Sequence, residues 1–142
     1  MEPTSSSIQG ACHCGVVRYR LAGEAVSVVN CHCRLCRGMS GSAFTSYVVV
    51  RDSDLSLELS EGGLSSYQAT DAATKHFCSN CGTPMFNTNP TKYPSLRMVY
   101  LGTVASPEKL VPRINVFCEG KLPWVDSVSS LKSFDAAPIR GA

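Results

Sequence analysis

Six residues of this chain contain three cysteines: Cys31, Cys33 and Cys36, called here the central cluster. Thiolate is a soft donor that suits zinc, and the ligands of one zinc ion must converge within about 4 Å of each other. A C-x-x-C segment achieves this in a tight turn. Because zinc prefers four tetrahedral ligands, the central cluster either takes a fourth ligand from elsewhere or leaves a position open for water or substrate. An open position is the mark of a catalytic zinc site.

Two outer pairs of cysteines have similar spacing: Cys12 with Cys14, and Cys78 with Cys81. In an extended chain, the side chains of a C-x-C segment point to opposite faces. Glycines flank the first pair, so we expect the backbone to bend until both sulfur atoms reach one ion. Gly82 follows the second pair and permits the tight turn of a zinc knuckle.

The cysteines can be grouped in more than one way. If the outer pairs join across the fold, they form a closed four-thiolate zinc site, and the central cluster keeps an open fourth position. Alternatively, the central cluster takes one remote cysteine, but this breaks up another zinc-like motif. A third reading makes four disulfides from the eight cysteines. The paired spacings favour metal sites over disulfides. Among the metal sites, spacing favours one group of the four outer cysteines and a second group of the three central ones.

The rest of the chain predicts a mainly β fold with little helix. Apolar Val17, Tyr19 and Leu21 alternate with arginines, which is typical of a half-buried strand. Further strands are predicted at residues 26–30, 43–50, 96–101 and 113–118, and a hairpin at 55–59 with 64–69. Glycines and small polar residues predict a loop at 37–41, and Ser106 with Pro107 predicts a short helical turn.

Length and charge limit the classes of function. The chain has 142 residues, and we expect one domain at 10–134 between a disordered tail at 1–9 and a flexible tail at 135–142. The net charge is +2, and the lysines and arginines are scattered along the sequence. This pattern gives no indication of binding to nucleic acid or to an acidic membrane. Residues 1–9 lack the pattern of a secretory signal, and no apolar run could span a bilayer, so we expect a cytoplasmic protein.

Three ordered motifs together resemble the glutathione-dependent formaldehyde-activating enzyme (GFA) family, which also includes centromere protein V-type domains. The motifs are Gly10-x-Cys12-x-Cys14-Gly15-x-Val17, Cys31-His32-Cys33-x-x-Cys36-Arg37 and Phe77-Cys78-x-x-Cys81-Gly82-Thr83-Pro84. The late residues 112–116, with Pro123 and Trp124, are similar to the final strand and tryptophan of the family. The resemblance therefore covers about residues 10–125.

The resemblance implies a β-tent of small antiparallel sheets with zinc-binding loops. It implies that Cys12, Cys14, Cys78 and Cys81 hold a structural zinc. It further implies that Cys31, Cys33 and Cys36 hold a second, exchangeable and catalytic zinc. The implied activity is that of a carbon–sulfur lyase or synthase, which joins a small thiol such as glutathione to an aldehyde such as formaldehyde through a zinc-bound thiolate. The alternative function is a non-catalytic, zinc-stabilised binding module.

Several other residues have simpler structural interpretations. We expect His32 to lie behind the ligands or face solvent rather than act as a general base. Arg34 and Arg37 are predicted to be solvated, although they could attract an anionic thiol. Cys118 is predicted to be a small buried apolar residue in the last strand, and Trp124 to lie in the core or in a lid.

Overall fold

The structure, a computed structural model, describes residues 7–138. This part of the chain contains ten strands, one short α-helix and several 3-10 segments, which confirms the predicted mainly β class. The strands are β1 (Ile8–Ala11), β2 (Val17–Leu21), β3 (Ser27–Cys31), β4 (Thr45–Arg51), β5 (Leu55–Leu59), β6 (Leu64–Gln68), β7 (Thr74–Cys78), β8 (Pro84–Thr88), β9 (Leu96–Tyr100) and β10 (Ile114–Val116). The helix is α1 (Arg34–Ser40).

The strands form two sheets of unequal size. The smaller sheet has three antiparallel strands in the order β1-β2-β5. The larger sheet has seven strands in the order β10-β3-β4-β9-β8-β7-β6. All neighbours in the larger sheet are antiparallel except β10, which runs parallel to β3 along its edge. The order places β3 and β4, which flank the central cluster, beside the late strands β9 and β10.

The main hydrophobic core joins the two sheets. Val17, Tyr19 and Leu21 of β2 are buried, with the exposed Arg18 and Arg20 between them, as the alternation predicts. They belong to one buried cluster with side chains of the larger sheet, including Val48, Val50, Met85 and Val99. Burial of this apolar surface supplies most of the free energy that holds the sheets together.

Strand β4 contributes side chains to both faces of the larger sheet. Val48 and Val50 belong to the main core, whereas Tyr47 and Val49 belong to a second cluster with Cys31 and Cys36. This division follows from the pleat, because successive side chains of a strand point to opposite faces. The face of the larger sheet opposite the main core therefore carries the central cysteines.

The first strand begins earlier than predicted. Ile8 and Gln9, which fall in the predicted disordered tail, pair with β2, and the backbone carbonyl of Gln9 accepts a 2.9 Å hydrogen bond from Ala105. Gly10 permits this close packing, because a Cβ there would overlap the Tyr19 ring and lie 2.6 Å from the backbone oxygen of Thr103. Residues 1–6 and 139–142 of the two predicted tails lie outside the described residues.

The predicted hairpin of β5 with β6 is wrong, although both strands exist. Strand β5 pairs with β2 in the smaller sheet, and β6 pairs with β7 in the larger one. The turn at 60–63 therefore carries the chain from one sheet to the other. Local alternation identifies each strand, but its pairing depends on partners far away in sequence.

The predicted loop at 37–41 is also wrong, because most of it belongs to α1. The Cys33 sulfur caps the start of this helix by accepting a 3.2 Å hydrogen bond from the backbone N–H of Cys36. Gly41 ends the helix in the left-handed conformation with φ of 73°. Caps at both ends and the burial of Cys36 outweigh the low helix propensity of Gly38.

The remaining helical segments are short. The predicted turn after Ser106 is present as a 3-10 segment at Pro107–Lys109. The longest 3-10 segment, Pro123–Ser130, follows the last strand. In the described part of the chain, no helix has the length and apolar character that crossing a membrane requires.

The main core generates a stability prediction. Met85 is 1% exposed, so Met85→Ala should lower the free energy of unfolding by about 2–5 kcal/mol through lost burial and a new cavity. Leu131→Ala is the control, since Leu131 is 62% exposed and its loss should change stability by less than about 0.5 kcal/mol. Urea denaturation measures both values, and equal midpoints would contradict this description of the core.

Candidate metal centres and cavity

The two outer pairs of cysteines meet in one group. All four sulfur atoms, those of Cys12, Cys14, Cys78 and Cys81, lie within 4.8 Å of one another. The sulfur of Cys14 is 3.7 Å from that of Cys12 and 3.8 Å from that of Cys78, which is 64 residues away. Four convergent thiols match the donor set of a tetrahedral structural zinc site.

Turns with polar backbone groups surround this four-cysteine group. Gly15 and Gly82 each follow a pair with positive φ, at 83° and 78°, and so let the chain turn sharply. Backbone N–H groups of Val17 and Asn80 each donate a 3.3 Å hydrogen bond to a cysteine sulfur. Such donors stabilise the thiolate form, which is the form that binds metal.

Cys81 shows the same preference for the thiolate in its pKa. Hydrogen bonds with the side chain and the backbone of Thr83 lower the pKa of Cys81 to about 5. The two side-chain atoms, Sγ and Oγ1, are 3.1 Å apart. Asn80 adds a further donor to the group, because its Nδ2 lies 3.2 Å from the sulfur of Cys14.

The central cluster lies where β3 ends and α1 begins. Its three sulfur atoms, from Cys31, Cys33 and Cys36, lie within 4.8 Å of one another. Among the described residues, no fourth cysteine, histidine or carboxylate joins this group. The hydrogen bond with Cys36 lowers the pKa of Cys31 to about 6. The same bond, together with burial, raises the pKa of Cys36.

A chain of buried hydrogen bonds leads to Cys36 from the larger sheet. Tyr47 donates its hydroxyl hydrogen to the Cys36 sulfur over 3.2 Å. The Asn87 amide donates to the Tyr47 oxygen at 2.8 Å and accepts from the Tyr100 hydroxyl at 3.1 Å. Burial raises the pKa of both tyrosines, so their hydroxyls stay protonated and remain donors.

Sequence reasoning missed these three residues. Tyr47, Asn87 and Tyr100 come from three strands, and no spacing relates them to the cysteines. The one local signal in the sequence was Asn87, a polar residue that follows the apolar Met85 and Phe86, and the structure shows it to be 5% exposed. Buried amides are hydrogen-bonded almost without exception, so such a residue indicates a polar partner inside the protein.

The central cluster opens onto a cavity of about 480 Å³. All three of its cysteines line this cavity, and none of the four outer cysteines does. Most of the wall is apolar, with side chains that include Val29, Leu35, Val49, Met98, Val116 and Phe117. The two cysteine groups therefore differ in their access to a small molecule. The central cluster faces a cavity that can hold one, and the four-cysteine group does not.

His32 is buried rather than solvent-facing. Its side chain is 1% exposed, and its Nε2 lies 2.9 Å from the side-chain oxygen of Asn115 on β10. The ring also packs on Phe44, with centroids 5.1 Å apart, and it does not line the cavity. Its other nitrogen, Nδ1, is buried without a hydrogen-bond partner. This placement agrees with a position behind the cysteines.

A turn after β10 packs directly against the central cluster. The turn is the 3-10 segment Cys118–Gly120, and a Cβ on Gly120 would lie 2.7 Å from the backbone oxygen of His32. Arg37 of α1 donates a hydrogen bond to the backbone oxygen of Gly120, so Arg37 is not simply solvated, whereas Arg34 is exposed. The close packing requires glycine at this position.

The prediction that Cys118 is buried is wrong, and Trp124, predicted to lie in the core or in a lid, does not lie in the core. Strand β10 ends at Val116, and Phe117 adopts the left-handed conformation with φ of 55°, which ends the extended backbone. Cys118 is therefore exposed and lies outside both cysteine groups. Trp124 is 55% exposed in the following 3-10 segment. Neither residue lines the cavity.

Comparison with known proteins agrees with the cysteine motifs. A sequence model described as glutathione-dependent formaldehyde-activating enzyme (GFA) matches residues 7–120. A Halomonas elongata protein that carries this same name provisionally is 29% identical over 126 residues, covering 84% of this chain and 80% of that protein. A crystal structure of a Rhodobacter sphaeroides protein has a similar fold, with a TM-score of 0.61 and 23% identity, covering 76% of this chain and 99% of the other.

The family match spans most of the chain and includes both cysteine groups and every residue of the cavity wall. It therefore covers the residues that carry the candidate chemistry rather than one short motif. This chain belongs to the glutathione-dependent formaldehyde-activating enzyme family.

Proposed function

We propose that this protein is a zinc-dependent carbon–sulfur lyase or synthase that joins a small thiol to an aldehyde. The observation that carries the proposal is the central cluster, whose three sulfur atoms converge on one side of a cavity. Family membership suggests glutathione and formaldehyde as the substrate pair. A reducing cytoplasm, which supplies small thiols and keeps cysteines reduced, is the compartment that the proposal requires.

The two cysteine groups have different proposed roles. Cys12, Cys14, Cys78 and Cys81 hold a structural zinc, because four thiols complete its tetrahedral ligand set. Cys31, Cys33 and Cys36 hold a second, exchangeable zinc, because three thiols leave one ligand position for substrate. All-sulfur donor sets of this kind suit zinc better than magnesium or calcium, which prefer oxygen ligands.

Zinc held by Cys31, Cys33 and Cys36 would supply a ligand position that lowers the pKa of an incoming thiol. The chain fixes the surrounding sulfur atoms. Cys33 accepts a hydrogen bond from the Cys36 backbone, and Cys36 accepts one from Tyr47. The apolar wall keeps water away from the bound sulfur. Water would otherwise solvate the negative charge of the thiolate and make the thiolate less reactive.

The reaction adds the thiol across the carbonyl bond of the aldehyde. The S–H bond of the thiol breaks, a bond forms between sulfur and the aldehyde carbon, and the π electrons of the carbonyl move to its oxygen. That oxygen gains the proton that the thiol released. With glutathione and formaldehyde, the product is S-hydroxymethylglutathione, and no oxidant or reductant is consumed.

The first prediction from this proposal separates the two cysteine groups by their effect on stability. Cys81→Ser should unfold or aggregate the protein, because a structural zinc contributes about 10–16 kcal/mol, as much as the whole stability of a typical domain. Cys36→Ser should leave the chain folded, since its cluster lies at one end of α1 and does not join the sheets. Circular dichroism and thermal melting measure both variants, and equal losses would contradict separate roles.

The second prediction concerns Tyr47. Tyr47→Phe removes the hydrogen bond to Cys36 and should weaken zinc binding at the central cluster by about 10–100-fold. It also leaves the Asn87 amide without its acceptor, so stability should fall by about 1–3 kcal/mol. Chelator competition measures the affinity. Tyr67→Phe is the control, since Tyr67 is 62% exposed. Unchanged zinc affinity in Tyr47→Phe would mean that this hydrogen bond does not hold the ligand.

The third prediction tests catalysis. Cys33→Ser keeps a good helix N-cap but removes a soft ligand, so the protein should stay folded and lose its acceleration of the glutathione–formaldehyde reaction. Cys118→Ser is the control, because this exposed cysteine lies outside both groups. The rate is compared with the uncatalysed reaction at the same pH, because the two substrates react spontaneously.

The wild-type protein decides between the two function classes. If it carries two zinc ions for each chain and still accelerates no pair of thiol and aldehyde, the enzyme proposal fails. A zinc-stabilised binding module then takes its place.

A further inference from the structure

Lys92 has an unusual place in the cavity beside the central cluster. Within the described part of the chain, it is the one lysine, arginine, histidine or carboxylate side chain that lines this space. Its backbone N–H donates a 2.9 Å hydrogen bond to the side-chain oxygen of Asn89, and its Nζ lies over the Phe117 ring, 5.8 Å from the centroid. It forms no ion pair with any of the described aspartates or glutamates. The positive charge at the cavity wall therefore lacks an anionic partner among the described residues.

The contact between Lys92 and Phe117 crosses the face of the larger sheet that carries the central cluster. Lys92 precedes β9, whose first residue pairs with Arg51 at the end of β4. Phe117 follows β10, whose last residue pairs with Cys31. Since Cys31 also pairs with Thr45 at the start of β4, the two segments come from opposite ends of this face. They meet at the cavity, which both residues line.

The Phe117 ring favours a position of the ammonium group on the side of the cavity where the cysteines lie. The negative face of an aromatic ring attracts a cation, so the ring favours this conformation over the many others open to an exposed lysine. A ligand that pairs with the ammonium group there costs less side-chain entropy, because the lysine is already partly ordered.

The size of the cavity allows one molecule to reach both the central cluster and Lys92. A sphere of its volume, about 480 Å³, is about 10 Å across, close to the length of about three extended residues. Glutathione is a tripeptide with its thiol on the middle residue and a carboxylate at each end. Because the cavity is open on one side, the charged groups of glutathione that do not meet Lys92 stay in water.

We infer that Lys92 is a specificity-determining residue, whose ammonium group pairs with a carboxylate of the thiol substrate while the thiol sulfur lies at the central cluster. The inference rests on the proposed function and deepens it, because it narrows the substrate class to thiols that carry a carboxylate, such as glutathione. Three thiolates outweigh the charge of a divalent ion, so the zinc-loaded cluster repels a carboxylate nearby. The ammonium group of Lys92 opposes this repulsion, and a neutral thiol gains nothing from it.

The test changes the lysine and the carboxylates together. Isothermal titration calorimetry on the zinc-loaded protein compares glutathione with glutathione diethyl ester, in which both carboxylates are blocked. Lys92→Gln should weaken glutathione binding by about twofold to fivefold, the range of an exposed ion pair. The same variant should bind the diester no more weakly than the wild type does. Unchanged binding of glutathione, or an equal loss for both ligands, overturns the inference, since Lys92 then does not recognise a carboxylate.

Lys132→Gln is the matched control. The Nζ of Lys132 also lies over a phenylalanine ring, 5.4 Å from the centroid of Phe134, but Lys132 does not line the cavity. The control removes the same charge from the protein, so it should leave the binding of both ligands unchanged. Circular dichroism confirms the fold of each variant. If Lys132→Gln weakens glutathione binding as much as Lys92→Gln does, the effect comes from net charge and the inference is wrong.

Rate measurements distinguish this inference from the proposed function. Acceleration of the glutathione–formaldehyde reaction, combined with equal glutathione binding by the wild type and Lys92→Gln, overturns the inference and leaves the proposed function standing. Binding that depends on Lys92, without acceleration for any thiol and aldehyde, overturns the proposed function, and the cavity is then a binding site for anionic thiols. Acceleration with a higher KM for glutathione and a nearly unchanged kcat in Lys92→Gln supports both, because a contact remote from the reacting sulfur contributes equally to substrate and transition state.

Discussion

The convergence of four sulfur atoms from distant parts of the chain is the constraint on which the architecture depends. Cys12 and Cys14 lie in the turn between β1 and β2 of the smaller sheet. Cys78 and Cys81 lie at the turn between β7 and β8 of the larger one. Bringing these turns together closes a loop of more than sixty residues. Closing the loop costs conformational entropy, which contacts between the two turns must help to offset. The four-cysteine group thus brings together one turn from each sheet beside their shared core.

The alternation of β4 divides the larger sheet into a structural face and a chemical face. Val48 and Val50 pack into the core between the sheets, and Tyr47 and Val49 point to the side that carries the central cluster. The neighbouring β9 repeats the division, with Val99 on the core side and Met98 and Tyr100 on the other. Residues that stabilise the fold and residues that line the cavity therefore come from the same strands, one position apart.

Much of the fold followed from local sequence patterns, and so did the grouping of the cysteines. Alternation located β2, and C-x-C and C-x-x-C spacings anticipated which sulfur atoms gather. Features that depend on distant partners could not be obtained in this way. The pairing of β5 and β6 with different sheets is set by β2 and β7, and α1 forms because Cys33 caps it and Cys36 is buried.

The cavity was equally invisible in the sequence. Its wall draws on five strands, on α1 and on Phe117, and no local pattern shows that their side chains share one space. Cys118 illustrates the opposite error, because its apolar neighbours predicted burial. The left-handed backbone at Phe117 ends the strand just before it and leaves Cys118 exposed.

The apolar wall and the hydrogen bonds to the cysteines belong to one physical arrangement. A wall of low polarity lowers the local dielectric, which makes an unpaired buried thiolate costly. Such a thiolate is tolerated only where the protein supplies donors, and here the Cys36 backbone serves Cys33 while Tyr47 serves Cys36. The same low dielectric strengthens those hydrogen bonds. Tyr47 is in turn held by Asn87 and Tyr100, so the donor is fixed before any ligand arrives. A more polar wall would bring in water, which competes for both the sulfur atoms and their donors.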